Sequence, residues 1–350
     1  MKLNLVEQIA RATLYEGYML YPYRPSSVKN QQRFNFGVLY PRSYSDAQGG
    51  TDAWSMQTEC LLLSDPAGSL DVRLRFLRLV QRQIGKLLAP VEELNQDALE
   101  FQPVESLTIG DQMFQTWQEA AEEEIRAPIF SLSELEKAPQ RVSFSLPRKR
   151  NVEAIRDESG LAVGVIVRDQ RSVTGTIEIT AQFKGELTKL TVVALNQTPL
   201  ETPNSATRDE ALLRSMVSTH TILGVSAAEF VSLLDPPERF RPAADGCRNI
   251  GAWPVLVGED GERDTMLSSP IILYDYPLIA PESAGDLFDG TEIDEILTLR
   301  IMTLTDDEKR EMRGADDRAR KILERTESLP VEQFMKMHGA VRGLKTVAKE

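Results

Sequence analysis

The chain has 350 residues, 41% of them hydrophobic and 27% charged, and a formal net charge of -13. That is the composition of a globular protein with one large domain or two ordinary ones. The negative charge disfavours binding to a phosphate backbone, and no apolar run approaches the roughly 20 residues of a membrane helix. Nucleic-acid partners and membrane insertion are therefore not expected.

The first residues, MKLNLVEQIARATLYEGY, interrupt their apolar part with Glu7 and Arg11, which does not resemble a secretory signal; the expected location is the cytoplasm. Tyr15, Tyr18, Tyr21 and Tyr23 follow with Arg24. They fit neither a helical face nor a strand alternation, while Pro22 and Pro25 point to extended chain entering a turn. Tyrosines beside an arginine offer contact area with polar tips, so this stretch is one candidate interaction surface. Phe34–Tyr40 reads as a short strand ended by Pro41.

Trp54–Leu63 is a candidate strand, and Asp65-Pro66-Ala67-Gly68 a turn. Leu70, Val72, Leu74 and Phe76 alternate with polar residues, as in a half-buried strand. The phase slips after Phe76, which predicts a bulge or a passage into helix. Phe101–Ile109 is another strand candidate. Asp111–Arg126, with the run Glu122-Glu123-Glu124, suggests a surface helix or long loop with a solvated acidic face. Phe130–Leu135, Val142–Leu146 and Leu161–Val167 read as short strands, and Arg148-Lys149-Arg150 as a solvated loop. Ser172–Phe183 and Leu187–Asn196, rich in Val, Ile and Thr around Lys184-Gly185-Glu186, read as a hairpin.

Beyond a linker at Thr198–Ser205, helices are expected to dominate. Thr207 with Glu210, Ser226 with Glu229 and Thr305 with Glu308 have capping-box spacing. Trp253–Gly258 and Ile271–Tyr276 read as two strands that rejoin the β-rich part. Met312, Ala315, Ala319, Ile322 and Leu323 form the buried stripe of a charged helix over Thr305–Thr326, and a last short helix starts at Pro330. The fold expected is α+β: a β-rich domain, sandwich- or barrel-like, over residues 1–200, and a mainly helical domain over 201–350 packed on it.

Glu282, Asp286, Asp289, Glu292 and Glu295 crowd a turn after Asp275 and Tyr276. This stretch is the second candidate interaction surface. Asp286, Asp289 and Glu292 are also candidate ligands for a hard cation, although the EF-hand spacing is missing. Acids near a helix start equally serve the helix dipole. The alternative activity is a carboxylate-based, magnesium-assisted hydrolase at Asp286–Glu295. Cys60 and Cys247, with His220 and His338, are the only thiols and imidazoles. They are too few and too scattered for a zinc site built from four cysteines, or from a pair of cysteines and a pair of histidines. No GxSxG, GxxxxGK[ST] or GxGxxG occurs, and no cofactor is expected.

LYEGYMLYPYRPSSVKNQQRFNFGVLYP at 14–41, TRDEALLRSMVSTHTIL at 207–223 and SSPIILYDYPLIAPESAGDLFDGTEIDEILTLR at 268–300 resemble segments of a bacterial family of similar length. That family is encoded beside [NiFe] uptake hydrogenases of the actinobacterial, high-affinity type and carries no agreed catalytic residues. The resemblance implies a role in hydrogenase assembly, maturation or function. The implied partner is a hydrogenase subunit or maturation factor, bound as a non-catalytic accessory or as a stable structural subunit. Nickel and iron carriers usually present Cys or His ligands, which this chain scarcely has.

Overall fold

The computed structural model describes residues 3–15, 33–95, 99–278, 301–315, 317–328 and 330. They fall into two compact units, one of residues 1–18 and 32–277, the other of residues 19–31 and 278–350.

The first unit is built on one strand, β1 (Ser55–Val91), 37 residues long. A straight strand of that length would measure ~120 Å, so it has to bend. Register irregularities between Ser64 and Ser69, Arg75 and Leu77, and Lys86 and Val91 mark where it does. Its partners are β2 (Phe101–Val104), β5 (Trp117–Arg126), β6 (Phe130–Ser131), β9 (Ala162–Gln170), β11 (Leu187–Asn196) and β12 (Val217–Val231). The registers overlap so that β11, β6, β5 and β2 share one edge of β1, while β12 and then β9 take the other, all antiparallel.

From the first half of β1 the sheet spreads outward. On one side β10 (Val173–Lys184) and β7 (Gln140–Leu146) follow β11; on the other, β14 (Thr265–Ser269) and β13 (Trp253–Leu256) follow β12. From the second half, β9 leads to β8 (Lys149–Arg156).

Leu62, Leu70, Val72, Leu74 and Phe76 of β1 share a core with Ile177 and Ile179 of β10, Leu190 and Val192 of β11, and Leu223 and Phe230 of β12. The short helix α3 (Leu132–Lys137) adds Leu132 and Leu135 to it. At the far end of β1, Ile84, Ile155 and Ile166 are covered by Leu107, Ile109 and Phe114 of the hairpin β3 (Ser106–Ile109) and β4 (Gln112–Gln115). Gly85 is required there, because a Cβ would stand 2.1 Å from the Phe101 ring. Helix α1 (Leu3–Leu14) buries Val6, Ile9, Ala10, Thr13 and Leu14, one helical stripe, and lies against β12 and β14. Among the described residues this unit also holds the short α-helices α2 (Arg42–Ala47), α4 (Arg208–Leu212) and α5 (Arg241–Asp245).

In the second unit, α6 (Asp306–Ala315) and α7 (Asp317–Ser328) bury Met312, Ala315, Ala319 and Leu323 against Ile301 and Leu304. Thr305 and Glu308 close the capping box that starts α6, and Glu327 pairs with both Lys309 and Arg313.

The protein is β-rich, and much of the expected helix is strand. Asp65–Gly68 is no turn: β1 runs through it with an irregularity. Asp111–Arg126 is not helix or loop but β4 and β5, because arginines of β1 neutralise the acids of β5 (below). Ser226 caps no helix. It lies within β12, where its hydroxyl meets that of Ser69 at 2.8 Å. β12 is buried on both faces over Val217–Val225, which local capping signals cannot override once α1 and the core cover it. Ile271–Tyr276 is not a strand; the second returning strand is β14. Phe34–Tyr40 contributes a single bridge, Leu39 to Met216. Phe130–Leu135 divides into the two-residue β6 and α3, and Lys149 and Arg150 open β8 rather than lie in a loop.

Candidate functional site

Of the residues singled out from sequence, Tyr18, Tyr21, Tyr23, Arg24, Glu282, Asp286, Asp289, Glu292 and Glu295 lie outside the described residues. Tyr15 is half-buried just after α1. Asp275 and Tyr276 are brought together on the outer edge of β13. The Asp275 carboxylate accepts from the Leu256 amide at 2.8 Å and from the Ser232 hydroxyl at 2.5 Å. The Tyr276 amide donates to the Leu256 carbonyl at 2.8 Å, and its phenol to the Glu262 carbonyl at 3.0 Å. Tyr276 takes a φ of 55°, a left-handed conformation rare for a non-glycine residue. Both residues are thus occupied in fastening the ribbon 270–276 to the sheet edge, which blunts that edge against stray strand pairing.

The fastening sets what the ribbon displays. Ile271, Leu273 and Asp275 turn partly inward, whereas Ile272 and Tyr274 point outward with 71% and 84% of their surface exposed. Trp253, 45% exposed, stands opposite Ser269 where the ribbon leaves β14. Leu234, 54% exposed, hangs from Ser232, whose hydroxyl accepts the Leu234 amide while donating to Asp275. Four large apolar side chains therefore lie around one sheet edge. Single exposed apolar residues are ordinary, but a group of them marks a contact surface.

The groups with catalytic potential are enclosed. His220 on β12 is wholly buried. Its Nδ1 lies 2.6 Å from the Ser218 carbonyl, which can only accept, so Nδ1 carries the proton and Nε2 is the acceptor. Nε2 faces the hydroxyls of Thr13 at 2.8 Å and Ser269 at 3.2 Å, tying α1 and β14 to β12. Burial lowers the imidazole pKa to about 4; the carbonyl contact opposes this and the Arg75 charge adds to it. The ring is neutral and structural. Burial raises the Cys60 thiol and pushes Cys247 up to about 11, so neither is a ready thiolate. Among the described residues, no group of three or more His, Cys, Asp or Glu side chains can hold a metal ion, and no helix is long and apolar enough to cross a membrane.

Sequence reasoning missed an arginine–glutamate lattice between β1 and β5. Arg75 approaches Glu124 at 3.6 Å and Glu122 at 4.0 Å. Arg78 meets Glu123 at 2.8 Å, and Arg82 meets Glu119 at 3.4 Å, with Arg168 of β9 on the same carboxylate at 2.8 Å. The signal was present as four arginines between 73 and 82 and four glutamates between 119 and 124. Arg78 also donates to the Pro147 carbonyl and Gln170, and Arg148 grips Asp169 with two bonds of 2.7 and 2.8 Å. These bonds join the residues just after β7 to β1 and β9.

The fold and this edge together define a β-rich protein that presents a braced apolar ridge. No family model, no curated protein and no solved structure matches the chain.

Proposed function

We propose that the protein is a non-catalytic accessory protein that works in the cytoplasm and supports the assembly, maturation or function of a [NiFe] hydrogenase by binding another protein. The observation that carries the binding role is the ridge of Ile272 and Tyr274, held outward by a ribbon that Asp275 and Tyr276 fasten to Leu256. The sequence resemblance of residues 14–41, 207–223 and 268–300 supports the hydrogenase context. Scarcity of cysteine and histidine fits a role other than metal delivery: of the two thiols and two imidazoles, Cys60 and His220 are enclosed.

The test is co-purification from native cells, with tags at either end and chemical crosslinking. A hydrogenase subunit or maturation factor is the expected companion. Recovery of neither, from both tagged forms, would refute the hydrogenase reading.

A further inference from the structure

The ridge carries information about what it binds, and this inference rests on the reading of the protein as a binding partner. Exposed acids stand at its margins. Asp235 follows Leu234, and Glu259 and Asp260 occupy the loop between β13 and β14. That loop is held next to the ribbon by the bond from the Tyr276 phenol to the Glu262 carbonyl. Asp235 and Asp260 are the exposed acids that face a docking segment here, with Arg263 as an exposed base in the same loop as Asp260. The apolar centre thus has an acidic border, on a chain whose net charge is -13.

This pattern selects among occupants. A second copy of the chain would bring the same acids against this border, and like charges facing across an interface cost binding energy. An anionic lipid surface meets the same repulsion. A cationic segment gains on both counts: it is steered in by the field of the whole chain and paired at the rim. The anchors that fit are apolar, because Ile272, Tyr274, Trp253 and Leu234 offer area and few unpaired polar groups.

We infer that the Ile272–Tyr274 ridge docks a segment of a partner protein whose apolar anchors are flanked by lysines or arginines. The segment lies over the outward face of the ribbon 270–276, with its cationic residues toward Asp235 and Asp260.

The experiment replaces Tyr274 with a benzoyl-phenylalanine crosslinker in the full chain, expressed in the native host, and sequences the crosslinked peptide. The side chain is exposed, and an unchanged melting temperature confirms that the fold is intact. The expected product is a peptide of another protein with lysine or arginine beside apolar residues, its yield reduced about five-fold by the double variant Asp235→Asn/Asp260→Asn, since two rim pairs of roughly 0.5 kcal/mol each are lost. Crosslinking only to this chain, to an acidic peptide or to nothing overturns the inference, as does a yield that the double variant leaves unchanged. A hydrogenase protein recovered on the tags without a Tyr274 crosslink refutes the ridge and leaves the proposed function standing. A basic peptide from a protein unrelated to hydrogenases does the reverse.

Discussion

The Arg78 guanidinium and the Glu123 carboxylate meet at 2.8 Å, and the arginine side chain has no solvent exposure at all. Burial depresses the Arg78 pKa more than Glu123 restores it. A pair in this position is costly to assemble, and costlier to break from one side, because the survivor is left charged without a partner. Arg78→Ala should therefore lose ~3–5 kcal/mol in urea denaturation. Arg78→Met with Glu123→Leu should recover most of that loss. Equal instability of the single and double variants would mean that the Pro147 and Gln170 contacts, not the charge pair, carry the effect.

His220 predicts a pH dependence in mild acid. Its folded pKa of about 4 lies below the ordinary 6.5, so the unfolded chain binds the extra proton first. Stability is full above about pH 6.5 and falls as the pH drops toward 4, by about 3 kcal/mol at most. The depressed carboxylates, Asp157, Asp169, Glu210 and Glu327, lose their contributions at lower pH. Denaturant midpoints from pH 7 to 5 thus isolate the imidazole, and His220→Gln should flatten that interval. An unchanged slope in the variant would assign it elsewhere.

Asp275 predicts a local effect. Asp275→Ala removes the acceptor for the Leu256 amide and the Ser232 hydroxyl, at ~1–3 kcal/mol for the groups left unpaired. The expected result is faster hydrogen exchange and proteolysis over residues 271–277, with exchange in β10 and β11 unchanged. Uniform acceleration across the sheet would show that the ribbon is integral to the core.

Gly37 predicts a steric effect. Its φ is 51°, and a Cβ there would stand 2.6 Å from the Pro270 ring and 3.1 Å from the Thr219 amide. Gly37→Ala should cost ~1–3 kcal/mol through the left-handed backbone alone, and more if Pro270 cannot move. Thermal unfolding measures it. A neutral result would mean that the 33–39 segment shifts freely.

Those positions were read from the sequence with uneven success, for physical reasons. The β10–β11 hairpin was legible because Val, Ile and Thr alternate around Gly185, where the chain turns with φ 66°. The slip after Phe76 was legible as a break in phase, and the structure places an irregularity between Arg75 and Leu77. β5 was not, because a run of glutamates carries strand character only when arginines far upstream in the chain neutralise it. β12 was missed because Ser226 with Glu229 mimics a local cap, while burial on both faces decides the outcome. At the ridge, the apolar run at 271–274 was visible. Its outward display was not, since that depends on where Asp275 and Tyr276 find partners on Leu256.

The length of β1 has a consequence for how the protein is made. Its 37 residues pair with segments that end as late as Val231, so a growing chain that has delivered β1 still lacks β12 for more than a hundred residues. At roughly 5–20 residues per second, that interval is many seconds during which Leu61, Leu70, Val72 and Leu74 have no neighbour strand on that side. Such a nascent chain invites intermolecular pairing, and a holdase on the ribosome, or slowed translation past residue 91, would govern the yield of folded protein more than the stability of the finished sheet does.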